Sequence, residues 1–459
     1  MRGLVGGLVA VCAGLFAAAG SLSAAEALPQ LQTVTIQYDR ATSAWLPVLT
    51  SFETAIETEP PGEGEGWYLV DAEGRLYPCQ IEAGEAMAAG RVRGEALVPR
   101  RDGEYYLLAA KAPAREAQFM VSSVFMGQAA VLETAVVTAR IRAERFCVAE
   151  EASLFGLDMV PRYVEALVNR QQGVTLTVTD RVRHADVVLQ AQTKKGQFAL
   201  TRRGPVAAAV AYRGTFVGAP DGSEISFEAE VTLTGHGVIG VRVMIPANAY
   251  DGKRFHVKDV KVTLPIVLDG AAAVVVGGAH TEASGRDYWT GAAKVSVAPG
   301  GAYAFTDGDG SVVSGKGGVT WMDYSDGEAG AGIFWGATEN TVSISVDYNE
   351  DLLDVTITPG GTGAAVAEGA KATAEAKAAP RTRARFSMVP ASPGEQLGST
   401  DAAWAAEDLG DLEGMMGEAP AVNVQVYFFL HPGRAGEDKV GALAADAISP
   451  TVGKVTNSL

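Results

Sequence analysis

The chain is 459 residues long and carries 54 acidic against 37 basic side chains, a net charge of −17. That balance argues against nucleic acid as a partner, because such binding rests on neutralising phosphates, and against nonspecific docking on anionic lipid. It also repels a polyanionic glycan unless a local cluster of Arg or Lys, or a bound cation, reverses the field.

The first stretch is an address. Met1-Arg2 precedes an apolar run from Leu4 to Ala19 and then small residues, with Ser23 and Ala25 at the −3 and −1 positions of a cut before Glu26. This is the pattern of a secretory signal peptide over residues 1–25. The run is too short and too glycine-rich to span a bilayer. Cys12 follows Val11, where a lipidated cysteine needs a small residue. No later stretch is apolar enough to cross, so the expectation is a secreted or periplasmic protein with no transmembrane segment in the mature chain. Cys79 and Cys147 remain after cleavage. Two readings stay open for them: one disulfide in an oxidising compartment, or a pair of buried thiols. Neither has the spacing of a zinc site.

Residues 30–143 read as strand and turn. VTIQYD, GWYLVDAEGRLYPCQIEA, GEYYLLAA and QFMVSSVFM are short β-branched and aromatic runs punctuated by Gly, Pro and Asp, and Asp71–Gly74 is a hairpin turn. They predict a small N-terminal β-barrel or sandwich, with Glu57–Gly66 a polar loop. Residues 144–171 predict a connector with a short helix around LDMVPRYVEALVNR, Pro161 in its first turn. From 172 to 390 strands arrive every ten to fifteen residues, as in a large antiparallel β-sandwich. Here Phe227, Ala229, Val231 and Leu233 alternate with Glu228, Glu230 and Thr232, and Ala219–Gly222 is a tight turn. Ala364–Ala379 is alanine-rich and of low complexity, while Thr382–Val389 and Val422–Leu430 predict closing strands. The rest of 391–459 predicts an acidic, mobile region and a tail without a strong signal. The fold class is all-β.

The order and spacing of several pieces resemble the exo-acting rhamnogalacturonan lyase-like family. They are Arg203-Gly204-Pro205-Val206 running into VAYRGTF, the paired strands FEAEVTLTGHGVIGVRVMI, VKDVKVTLPI at Val257–Ile266, Gly318–Gly336 and Leu353–Gly360. The resemblance covers roughly residues 30 to 390. It implies a barrel of the RIFT type followed by a central β-sandwich, and in the family an α/α toroid after that. Roughly seventy residues follow residue 390, too few for such a toroid. The resemblance therefore implies carbohydrate as ligand and, for catalysis, a partner chain supplying the toroid; fold likeness alone does not establish a reaction.

Cleavage of a uronic-acid glycan by elimination needs a cation for the carboxylate, a base for the C5 proton and an acid for the leaving oxygen. His280, Arg286 and Tyr288 lie within ten residues and form the densest matching set, with Trp289 beside them as a stacking surface; the alternative is a polar loop whose rings pack down. Trp321 and Trp335 are further candidates for a sugar platform, against a packing role in the sandwich. His236 sits in a Thr-Gly-His-Gly turn, and His184, His256 and His431 stand alone in sequence. Asp307-Gly-Asp309-Gly-Ser311 has the alternating oxygens of a calcium loop without its downstream Glu, so no cofactor is expected and Ca2+ is its only weak candidate. Three functions follow: a noncatalytic glycan-binding or accessory protein acting on a poly- or oligosaccharide, a polysaccharide lyase, or a structural envelope protein without a small ligand.

Overall fold

A computed structural model describes residues 32–38, 46–54, 65–82, 92–111, 120–143, 146–154, 157–160, 173–268, 273–278, 281–283, 292–299, 302–306, 312–316, 319–326, 328–335, 340–347, 352–359, 420–432, 437–448 and 451–457. The expected signal peptide, the calcium-like loop, the alanine-rich run and the strand expected at Thr382–Val389 fall outside them.

In chain order the strands begin with β1 (Gln32–Ile36), β2 (Val48–Thr54), β3 (Glu65–Val70), β4 (Leu76–Glu82), β5 (Val92–Val98) and β6 (Gly103–Lys111). A short set follows: β7 (Ser122–Phe125), β8 (Ala129–Glu133), β9 (Val137–Arg142), β10 (Glu151–Leu154) and β11 (Leu157–Val160). The long run comprises β12 (Gly173–Asp180), β13 (Ala185–Arg203), β14 (Ala207–Val217), β15 (Ile225–Thr234), β16 (Val238–Pro246), β17 (Phe255–Pro265), β18 (Ala273–Gly278) and β19 (Thr281–Ala283). It continues with β20 (Ala292–Val297), β21 (Ala302–Thr306), β22 (Val312–Lys316), β23 (Val319–Ser325), β24 (Ala329–Trp335), β25 (Thr341–Asp347), β26 (Leu352–Thr358) and β27 (Pro420–Pro432). One helix, α1 (Glu437–Ile448), and a last strand, β28 (Thr451–Asn457), end the described chain. The all-β reading holds.

Two compact units result, the first built on β1–β6, Gly204–Ala207 and β28, the second on β7–β27 and α1. In the first, the strands close into a barrel in the order β1-β28-β2-β5-β4-β3-β6, with β6 pairing back onto β1. Closure leaves no open sheet edge. Its interior holds Val34, Ile36, Val48, Phe52, Leu69, Val98, Tyr105 and Leu107, supplied at alternate positions. The turn expected at Asp71–Gly74 is present. The Gly74 amide donates to the Asp71 carbonyl at 3.0 Å, and Gly74 takes φ 78°. The Asp71 carboxylate accepts from the Arg75 amide, the Arg75 guanidinium and the Tyr77 hydroxyl at 2.9, 2.7 and 2.9 Å. Gly204 lies where a Cβ would fall 1.9 Å from the Gln80 side chain, whose oxygen accepts the Ala207 amide at 3.1 Å.

The second unit contains a five-stranded sheet, β11-β10-β9-β8-β7, and a sixteen-stranded one. The large sheet runs β19-β18-β23-β24-β27-β16-β15-β14-β13-β12-β17-β26-β25-β20-β21-β22. A sheet of that width curls. Trp335 of β24 lines one pocket with Val342 of β25 and Ile357 of β26, strands far from β24 in this order, so the two halves fold over one another. Their shared interior is the alternate apolar set: Phe227 to Leu233 on β15, Ile239 to Ile245 on β16, Val422 to Phe428 on β27, Val342 to Val346 on β25 and Leu353 to Ile357 on β26. The five-stranded sheet adds a layer, where Phe146 packs on Tyr212 and Phe227 and Phe125 stacks on Phe198.

Every residue of β23 and β24 is buried, because α1 covers their outer face. Val440, Leu443 and Ala444 form the helix's apolar stripe. Gly332 leaves the space that Val440 fills: a Cβ there would meet Val440 at 2.3 Å.

Three expectations change. Leu157–Val160, read as part of a helix, is strand β11 paired to β10; four residues carry no decisive period, and the open edge of β10 decides. The tail contributes α1 and the barrel strand β28, which runs parallel to β2. Strands β7–β9, placed with the barrel in the sequence, belong to the second unit.

Candidate functional site

His280, Arg286, Tyr288 and Trp289 lie outside the described residues. Trp321 and Trp335 are 8% and 4% exposed and sit on opposite faces of the β23–β24 pair, since Trp321 stands opposite Phe334 in the register. They make no common platform. Trp321 lies flat on Gly277, where a Cβ would come within 2.2 Å of the indole, and beneath Gly441 of α1. It is a packing residue. Cys79 is a buried thiol in the barrel and Cys147 a half-buried one; they are not joined in a disulfide. Burial pushes the Cys79 thiol far up.

Sequence reasoning missed a polar cluster under α1. The Nε2 atom of His431 and Oδ1 of Asp323 are 2.7 Å apart, and the Ser325 hydroxyl donates to Asp323 Oδ2 at 3.0 Å. His431 and Asp323 are fully buried. The three residue types are those of a hydrolase triad, but the aspartate is central and touches both others, whereas a nucleophile needs its base adjacent and a path to substrate. The arrangement is a structural clasp. The other histidines are simpler: His236 bonds Thr234 Oγ1 at 2.7 Å within the β15–β16 turn, and His184 and His256 are exposed. Among the described residues no group of three His, Cys, Asp or Glu side chains is placed to hold a metal ion. No described helix is long and apolar enough to cross a membrane.

The outer face of β15, β16 and β27 sets polar side chains beside an aromatic ring. The register sets three rows across it: Thr232, Gly240, Tyr427; then Glu230, Arg242, Gln425; then Glu228, Met244, Asn423. Tyr427 is half-buried. Its ring stacks on Phe334 at 5.0 Å and 10° and leans over Gly240, where a Cβ would already be 3.3 Å away. A larger residue at 240 would lift the ring from the sheet. Burial raises the Tyr427 phenol above its ordinary range, with the Arg242 charge opposing in part, so the hydroxyl stays protonated. Along β27, Gln425 and Asn423 are exposed on the same face at two-residue steps, each step about 6.8 Å. Arg242 Nε donates to Asn423 Oδ1 at 3.1 Å, fixing that amide.

β24 stops at Trp335, opposite Val426. Among the described residues, therefore, β27 has no partner on that side from Pro420 to Gln425. A small pocket lies there, lined by Trp335, Asn340, Val342, Ile357, Asn423 and Gln425. The two amides of β27 thus border both the Tyr427 face and the pocket. The signal available in sequence was the exposed series in VNVQVY: Asn and Gln alternating with valine, ending on an aromatic.

No family model and no curated protein matches this sequence. Solved structures similar to it include an alpha-mannosidase from Enterococcus faecalis V583, at 10% identity and a TM-score of 0.48, covering 94% of this chain and 46% of that one. A second is a glycosyl hydrolase family 38 protein from Enterococcus faecalis, at 9% identity and a TM-score of 0.46, covering 94% and 48%. The chain spans about half the length of each.

Proposed function

We propose that this is an exported, noncatalytic glycan-binding protein that takes sugar on the outer face of β16 and β27. The observation that carries the reading is the Tyr427 ring lying over Gly240 with Gln425 and Asn423 beside it on one strand. An aromatic ring with a polar tip suits the apolar face of a pyranose, and primary amides both donate and accept, as sugar hydroxyls do. A rigid sheet holds these groups without a cost of ordering on binding. The Asp323, His431 and Ser325 set lies buried under α1. We further propose kinship with the β-domains of rhamnogalacturonan lyase-like proteins, which a closed barrel preceding a large antiparallel sheet supports.

The test is a glycan-array screen followed by calorimetry on the full chain and its Tyr427→Ala variant. Losing one stacked ring costs about 0.5–1.5 kcal/mol, roughly twofold to tenfold in affinity. Unchanged affinity in the variant would refute the site. A rise in ultraviolet absorbance from an unsaturated uronide would refute the noncatalytic reading in favour of a lyase.

A further inference from the structure

We infer that the ligand of this face is an uncharged oligosaccharide lying along β27, from the Tyr427 ring to the pocket beside Trp335. This rests on the glycan-binding reading above and adds the chemistry and direction of the chain.

Charge carries the first half. Among the described residues, the outer face of β14, β15, β16 and β27 presents two cations and two anions: Arg213 and Arg242, Glu228 and Glu230. Arg213 Nε holds Glu228 Oε1 at 3.1 Å. Arg242 stands opposite Glu230 in the register, and its Nε is spent on Asn423. Glu230 in turn accepts the Thr232 hydroxyl at 3.2 Å. A uronate or sulfate laid on Tyr427 would meet these two carboxylates as readily as the two guanidinium groups, inside a chain of net charge −17. A neutral polyol meets hydroxyl-matching amides and an apolar ring with no such opposition.

Geometry carries the second half. From Tyr427 to Asn423 is four residues of extended strand, about 14 Å, more than one sugar ring requires. Asn423 and Gln425 face the platform and also line the pocket, so a chain that leaves the ring along β27 passes both amides before it reaches Asn340 and the indole of Trp335. Platform, amides and pocket therefore form one track.

The experiment uses the full chain with di- and hexasaccharides of neutral glucan, mannan, galactan and xylan, and with oligogalacturonate of the same lengths. Calorimetry is run at about 20 mM and about 500 mM NaCl, a range over which exposed charge pairs are largely screened. At least one neutral hexasaccharide is expected to bind with a Kd that moves less than about twofold with salt, and at least about tenfold tighter than oligogalacturonate. The gain in affinity from di- to hexasaccharide is expected to disappear in Asn340→Ala, while Tyr427→Ala weakens both lengths. Tight, salt-sensitive binding of oligogalacturonate that Tyr427→Ala abolishes would overturn the uncharged ligand and leave the glycan site standing. A length gain that survives Asn340→Ala would overturn the track into the pocket. Binding of no sugar at all would overturn this inference together with the reading beneath it.

Discussion

Replacing Asp323 by alanine removes the acceptor that His431 and Ser325 share beneath α1. Both contacts are short, at 2.7 and 3.0 Å, and His431 and Asp323 are fully buried, so water does not substitute. A hydrogen bond contributes about 0.5–1.5 kcal/mol net, and removing one partner of a buried pair costs about 1–3 kcal/mol. We expect Asp323→Ala to lose about 1–3 kcal/mol, a sizeable part of a domain stability of about 5–15 kcal/mol. Asp323→Asn keeps the shape and one carbonyl acceptor and should lose clearly less. The assay is urea unfolding of the full chain followed by tryptophan fluorescence, since Trp321 lies two residues away on the same face under the same helix. With two units present the curve is fitted to more than one transition, and only the one reporting the large sheet should move. A loss under about 1 kcal/mol in the alanine variant, or equal losses in both variants, would refute the clasp as a stabilising element.

Gly204→Ala puts a Cβ within 1.9 Å of Gln80, so we expect a loss of about 1–3 kcal/mol on thermal melting, reduced when Gln80→Ala is added; additive losses would count against the contact. Arg254 holds Asp221 below its ordinary value through a 2.5 Å contact; burial pushes Asp180 up, but the bond from Arg254 and the Val182 and Arg183 amides outweigh it. A lowered folded-state value means stability that is present above the ordinary aspartate value of 3.8 and lost as pH falls below it. Arg254→Ala should therefore flatten the fall in stability on acidification, measured by urea midpoints between about pH 2 and 6, and an unaltered slope would contradict this. In the denatured chain Cys79 and Cys147 should both titrate as free thiols, with native Cys147 alkylated before Cys79, whose burial disfavours the thiolate; recovery of a disulfide joining them would overturn this.

Period and punctuation carried the local half of this fold. β15 buries Phe227, Ala229, Val231 and Leu233 as its alternation dictates, and the turns at Asp71–Gly74 and Ala219–Gly222 close where Gly74 and Gly222 take positive φ. What stayed illegible was decided between distant segments. LDMV carries no decisive period and becomes a strand because β10 offers an edge. EDKVGALAADAI does hold a helical stripe at Val440, Leu443 and Ala444, but alanine-rich stretches elsewhere in the chain blur it. Nothing near Thr451–Asn457 announces that it runs between β1 and β2 of a barrel begun at Gln32. Trp321, legible as an aromatic of unknown exposure, is explained by Gly277 and Gly441, neither of which sequence spacing ties to it.

The candidate site shows the same division on one strand. Val422–Leu430 reads as a strand from its alternation, and β27 is one. Its place is not readable: it enters between β24 and β16, and the Arg242–Asn423 and His431–Asp323 contacts join residues 181 and 108 positions apart. Yet that place determines everything about the site. Val422, Val424, Val426 and Phe428 turn into the core, which forces Asn423, Gln425 and Tyr427 outward. Slipping the pairing by one residue would exchange the two sets and bury two amides and a phenol. The apolar face that makes β27 fold is thus also what delivers Tyr427 onto Gly240. A polar residue at Val424 or Val426 would disturb the recognition face by the same act that unsettles the core.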